Sequence, residues 1–237
     1  MSDTIAACEA AAHTQGLAAG LALALREAGP VDPPGGIAAL PADAVPGGAA
    51  VLPHRLAERE RVRFVRLPLP APGADAPTTR PPTGDRADPD TGDAPAPLSF
   101  DALLGAVRAG LTRRLLDDAV THLSGRTSGG EPLSRKQLVL GTVADVRTGL
   151  AAAVRLLRVA GGSPVAVTDA HDRLTALDWE AAKLLGASGF LADGSARAGY
   201  VGWLVASVWL ADPSGATPAG PTAPPVGGRP LPEEDRS

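Results

Sequence analysis

Apolar positions along this chain fall into two regimes. Over residues 99–123, Leu103, Leu104, Val107, Leu111, Leu115 and Val120 recur at the three-and-four spacing of a helix face. The same period returns in Val143, Val146, Leu150, Val154 and Leu157, and again in Leu174, Leu177, Ala181 and Leu184. A last segment over 194–210 carries Tyr200, Val201, Leu204, Val205 and Val208. These patterns predict helices starting near residues 99, 134, 168 and 194. Gly161-Gly162-Ser163-Pro164 breaks the second, and Asp212-Pro213 stops the fourth. Ser134 and Gln137 have the S-x-x-Q spacing of a capping box for the second helix. Arg113 and Arg114 stand four residues before Asp117 and Asp118, a spacing that permits weak ion pairs on a polar face.

The first part of the chain is different. Residues 3–28 are Ala- and Leu-rich and predict one helix closed by Gly29-Pro30. Residues 31–48 are rich in Pro and Gly and predict irregular chain. A strand is expected around Val51, and another over 61–69, where Val62, Phe64, Leu67 and Leu69 interleave with Arg61, Arg63 and Arg66 and Val65 is out of step. Residues 70–97 and the segment after 211 are dominated by Pro, Gly, Ala and Asp. Such sequence buries too little apolar surface to offset chain entropy and predicts a disordered linker and tail. The expected organisation is therefore 1–69, an N-terminal helix with a small β segment; 70–97, linker; 98–211, an antiparallel four-helix bundle; and 212–237, tail. Four helices in series with short connections make a bundle the economical arrangement, and the fold class is mainly α.

Composition narrows the function. Aromatic residues are only 3% of the 237, so the core must be built from Leu, Val and Ala. A net charge of −4 lacks the basic stripe of a nucleic-acid binder. Cys8 is the single cysteine, which excludes an internal disulfide and fits a reducing, cytoplasmic setting; in an Ala-rich helix it reads as a small buried filler. The apolar run 16–25 is too short to span a bilayer, so no membrane segment is expected. His13, His54, His122 and His171 fit no metal-ligand spacing, and His171 sits in an acid-rich helix start with Asp169 and Asp172. Trp179, Trp203 and Trp209 are expected as core or interface anchors.

One loop has chemistry in its spacing. Residues 126–137 read R-T-S-G-G-E-P-L-S-R-K-Q, with a Gln eleven residues after an Arg. Upstream stands Val65-Arg66-Leu67-Pro68, and downstream the turn Gly186-Ala187-Ser188-Gly189-Phe190. In this order the three elements resemble the acyl-CoA dehydrogenase family over about residues 62–211. The resemblance implies that the bundle is like that family's C-terminal helical domain, that FAD is the cofactor, and that Arg126 reaches its pyrophosphate while Gln137, Gly186, Ala187 and Gly189 approach its adenine half. It also implies homo-oligomers or a hetero-oligomer with a full-length acyl-CoA dehydrogenase. A guanidinium fork and open glycine backbone suit a pyrophosphate. Departures are visible too. Gly129 replaces an aromatic residue, Ala187 replaces a glycine, and no Glu stands where the family's base is expected, Asp212 being the nearest carboxylate. The catalytic residue is left unassigned, and only residues 1–60 stand where the family has two further domains. Simple structural readings remain beside the functional ones: Arg126 as a cation at a helix C-terminus, Gln137 in its capping box, and the glycine turn as a helix C-cap.

Overall fold

The computed structural model describes residues 2–67 and 98–210. The expected linker and tail, along with Pro68 and Asp212, lie outside the described residues. The chain is mainly helical, with a small antiparallel sheet. Where one helix was expected over 3–28, two form: α1 (Ser2–Gln15) and α2 (Leu17–Ala28). Gly16 separates them at φ 93°, a backbone setting that side-chain-bearing residues rarely adopt. The break lets α2 turn back onto α1 instead of extending it.

Next come β1 (Ile37–Pro41), β2 (Ala50–Leu52), a short helix α3 (Arg55–Arg59) and β3 (Val62–Arg66). The sheet order is β1-β3-β2, with Ala39 and Leu52 both opposite Phe64. β1 lies in the segment expected to be irregular; its I-A-A-L core is bracketed by the Pro and Gly that hid it. Val65 is buried along with Val62 and Phe64, so the imperfect alternation of β3 reflects apolar contacts on both faces of the central strand.

The long helices follow: α4 (Phe100–Ser124), α5 (Gln137–Ala160), α6 (Pro164–Leu184) and α7 (Ala196–Trp209). α4 begins at Ser99, whose hydroxyl accepts from the Ala102 amide at 3.1 Å, an ordinary N-cap. α6 starts a turn earlier than expected, because Ser163 caps it and Pro164 occupies the first helical position, where its missing N–H is no loss. Residues 102–112 of α4 are all buried, which no one-faced amphipathic helix would show. α4 is the axial helix, and α1, α2, α5, α6 and α7 pack around it.

A core poor in aromatics closes by bringing backbones together. At the α1–α4 crossing, a Cβ on Gly110 would lie 2.2 Å from the Glu9 carbonyl oxygen and 2.9 Å from the Ala12 methyl. The expected i,i+4 pairs on α4 do not form. Arg113 instead reaches Glu9 of α1 at 3.3 Å, and Asp117 takes His13 at 2.9 Å, so both stitch α1 to α4. Trp209 at the end of α7 donates from its indole to the Ala39 carbonyl at 3.1 Å, joining the helices to the sheet. Glu60–Arg197 at 2.7 Å and the Arg59–Asp193 pair add charged links between the α3 region and the approach to α7.

No membrane segment was expected from the sequence, yet by length and composition α5 alone among the described helices is apolar enough to cross a membrane. Its Val146, Leu150, Ala153, Val154 and Leu157 are buried against the other helices, and its other side is exposed.

Candidate functional site

The loop between α4 and α5 is a β-hairpin: β4 (Thr127–Ser128) pairs with β5 (Glu131–Pro132). Gly129 and Gly130 form its two-residue turn at φ 64° and 79°, the positive pair that a type I′ turn requires. The adjacent glycines thus have a conformational reason for being there. Lys136, not Ser134, caps α5, without a side-chain bond; Ser134 sits in a short 3₁₀ turn and takes its hydrogen bond from Ser124 at 2.9 Å. The expected capping box is therefore absent, displaced by that extra turn, and Gln137 is left exposed as the first residue of α5.

Arg126 follows the C-terminus of α4 and is exposed. The guanidinium makes one contact among the described residues, to His122 Nε2 at 3.4 Å. The turn after α6 is a 3₁₀ segment, Gly186–Phe190. A satellite core of Leu115, Leu116, Ala119, Val146, Ala181, Ala182 and Leu185 ties the second half of α4 to the first half of α5 and the end of α6. Arg126, Gln137 and the Gly186 turn consequently project from the same end of the bundle. The same end exposes apolar side chains: Leu138 is 86% exposed, and Phe190, 55% exposed, leans edge-on against the exposed Trp179 with ring centres 5.2 Å apart.

A second cluster lies inside, between α4 and α6, and the sequence reading missed it. Arg108 is 2% exposed. One terminal nitrogen donates to the His171 carbonyl at 3.0 Å and to His171 Nδ1 at 3.1 Å. The other donates to the Thr175 hydroxyl at 2.8 Å and faces Asp178 at 3.5 Å. Thr112 donates to the second Asp178 oxygen at 2.7 Å. Since a guanidinium can only donate, Nδ1 of His171 must accept, and Nε2–H donates to the Asp101 carbonyl at 3.0 Å. Burial first, and the neighbouring Arg108 second, push His171 down to about 3. Burial lifts Asp178 above the usual carboxylate range, against the pull of Arg108. α7 seals the cluster: a Cβ on Gly199 would come within 3.3 Å of the Asp178 carboxyl. Both ring nitrogens of His171 are engaged, so it is a positioned structural neutral histidine and has no free nitrogen to serve as a base. The signal was available. Arg108 lies on the apolar stripe itself, between Leu104 and Leu111, where a charge demands a partner.

Other singled-out residues have structural places. Cys8 is fully buried, and burial, reinforced by Glu27, raises its thiol to about 11. His54 caps α3, accepting from the Ala57 amide at 3.2 Å. His171 stands in mid-α6 and not at a helix start. Trp209 is in the core, and Trp179 is on the surface. Among the described residues no group of three or more His, Cys, Asp or Glu could hold a metal.

No family model matches the chain, and no curated protein does. Among solved structures it is similar to that of FkbI, for biosynthesis of the methoxymalonyl extender unit of the Fk520 polyketide immunosuppressant. The superposition has a TM-score of 0.42 at 20% identity and covers 76% of this chain, which spans about half (49%) of the other. That is a distant likeness in fold and carries no argument about activity.

The bundle-end residues can be judged against FAD on their own geometry. Arg126 has an unburied fork and a single weak contact, as a pyrophosphate ligand needs. Gly186 has φ 59° and open space where a Cβ would be, and Ala187 and Gln137 are exposed, so all three are accessible to a large ligand. Gly189 is different. It is buried, and a Cβ there would lie 2.4 Å from the Ala182 carbonyl oxygen. Helix packing accounts for this glycine, and its backbone faces α6.

Proposed function

We propose that this chain is a helical subunit of an acyl-CoA dehydrogenase-like flavoprotein assembly. Its bundle end contributes Arg126, Gln137, Gly186 and Ala187 to a FAD shared with a larger partner, and Gly189 supports the turn from behind. The observation that carries the reading is that the 126–137 loop and the Gly186 turn lie at one exposed end, with the Arg126 guanidinium meeting only His122, at 3.4 Å, among the described residues. Val65-Arg66-Leu67 closes β3, away from that end. When bound, the flavin supplies hydride acceptance from an acyl thioester. The residues of this chain would hold and orient the dinucleotide and leave the chemistry to the partner. Residence in the cytoplasm belongs to the same proposal, in keeping with one buried thiol.

The test is to purify the chain with the dehydrogenase it captures from its own host and record the visible flavin spectrum. Wild-type complexes should carry flavin, and Arg126→Glu should lose at least tenfold in flavin affinity while the partner stays bound. A complex without flavin absorbance, or an unchanged affinity in the variant, ends the flavin reading. A second reading is favoured by the exposed Leu138, Trp179 and Phe190 at this end: a non-catalytic subunit that stabilises a full-length dehydrogenase. Its signature would be a partner bound through these side chains, with equal flavin content in wild type and Arg126→Glu.

A further inference from the structure

Along the flank of the bundle, α1, α4 and α5 border an open cleft of about 720 Å³, within the range of small-molecule sites. It is separate from the end described above. Arg158 lies about 30 Å along α5 from Gln137, at ~1.5 Å rise per residue. Four arginines line it, Arg113, Arg147, Arg155 and Arg158, against two carboxylates, Glu9 and Asp117. That local excess of two positive charges stands on a chain whose net charge is −4.

The pairing is uneven. Glu9 holds Arg113 at 3.3 Å, and Asp117 is shared between His13 at 2.9 Å and Arg147 at 4.0 Å. Arg155 and Arg158 form no ion pair or side-chain hydrogen bond among the described residues. They stand three residues apart on α5, hence on neighbouring positions of one face. The apolar lining that solvent reaches is Ala151 and Val159, over the buried Leu116, Leu150 and Val154. Unpaired guanidiniums over an apolar floor suit an amphiphilic anion. Arg presents a planar fork that matches phosphate oxygens. A phosphate monoester carries about −1.5 to −2 at neutral pH, which matches the local excess.

We propose that this cleft binds a small organic phosphate, with its headgroup on Arg155 and Arg158 and its apolar body against Ala151 and Val159. The site does not depend on the flavin reading, since none of its residues belongs to the bundle end.

Octyl phosphate, below its micellar concentration, is the probe for calorimetric titration into the full chain. One molecule should bind per chain, and Arg155→Glu/Arg158→Glu should weaken it at least tenfold with only a slightly lowered melting temperature, since both side chains are exposed and only Arg158 stands in the last turn of α5. Ala151→Trp, which fills the cleft and leaves the charges in place, should weaken it similarly. Inorganic phosphate, octanoate and the neutral octyl glucoside should each bind at least tenfold more weakly. Unchanged affinity in the charge-reversal variant, or octyl glucoside binding as tightly as octyl phosphate, overturns the site. Inorganic phosphate matching octyl phosphate overturns the apolar half, and octanoate matching it overturns the charge argument.

Discussion

Replacing Asp178 by Ala tests how tightly the interior cluster is sealed. The substitution removes the carboxylate that pairs with the Arg108 guanidinium, which lies 3.5 Å away and 2% exposed. Arg108 would keep its bonds to the His171 carbonyl, His171 Nδ1 and Thr175, but none of those carries a compensating charge. Thr112 would lose its 2.7 Å acceptor but keep the Arg108 carbonyl at 3.0 Å, so it adds little. Breaking a buried pair from one side typically costs about 3–5 kcal/mol. The Asp178 side chain is 15% exposed, so some water can enter the gap, and the lower part of that range, about 3 kcal/mol, is expected. Asp178→Asn keeps the shape and an acceptor oxygen, and should cost less, about 1.5–2 kcal/mol, the lower part of the ~1.5–3 kcal/mol range of a charge-assisted bond. Urea unfolding followed by far-ultraviolet circular dichroism is the suitable assay, because Trp179 adjoins the mutated site and would distort fluorescence. A domain stable by ~5–15 kcal/mol remains folded enough for either variant to be measured. A loss below about 1 kcal/mol for Asp178→Ala would mean that solvent already reaches Arg108 and that the α4–α6 cluster is not sealed.

Acid should destabilise the fold through His171. Its folded-state pKa, about 3, lies below the unfolded value of 6.5, so unfolding takes up a proton between those limits. Stability from this group is fully present above 6.5 and is lost as pH falls, at up to ~1.4 kcal/mol per pH unit. Urea midpoints at successive pH values in wild type and His171→Asn check this; equal slopes would refute it. Gly110→Ala sets a helix-propensity gain of ~1 kcal/mol against an overpacking cost of ~1–3 kcal/mol or more. The obstruction is backbone, so a net loss of about 1–2 kcal/mol is expected in thermal melts, and a stabilised variant would show that α1 can shift freely.

The long helices were legible because each keeps its apolar period for three turns or more, and tertiary contacts only sharpened their ends. α6 was read late, since the Gly-Gly-Ser-Pro run looks like a break and is in fact a break followed at once by a cap. β1 was lost for the opposite reason: five residues without a polar alternation, flanked by Pro and Gly, give no periodic signal. The division of 3–28 into two helices rests on one glycine, which local propensity tolerates inside a helix and which only the packing of α2 onto α1 turns into a break. Of the site, the sequence placed Arg126, Gln137 and the Gly186 turn at element ends, where the structure has them. It could not separate Gly186, open to solvent, from Gly189, closed by the Ala182 carbonyl, because both are the same letter. Arg155 and Arg158 carry no signal in the sequence; that they overlook a cleft depends on α1, more than a hundred residues away.

That distance has a consequence for biosynthesis. Glu9 and Arg113 are 104 residues apart in the chain and joined across the α1–α4 crossing. At ~5–20 residues per second on the ribosome, α1 is complete about 5–20 s before its docking groove on α4 exists. For that interval Ile5, Cys8 and Ala12 have no groove to enter. The nascent segment must stay soluble by folding back on α2 through the Gly16 hinge or by being held by a chaperone, and any change that slows translation across α4 lengthens the exposure.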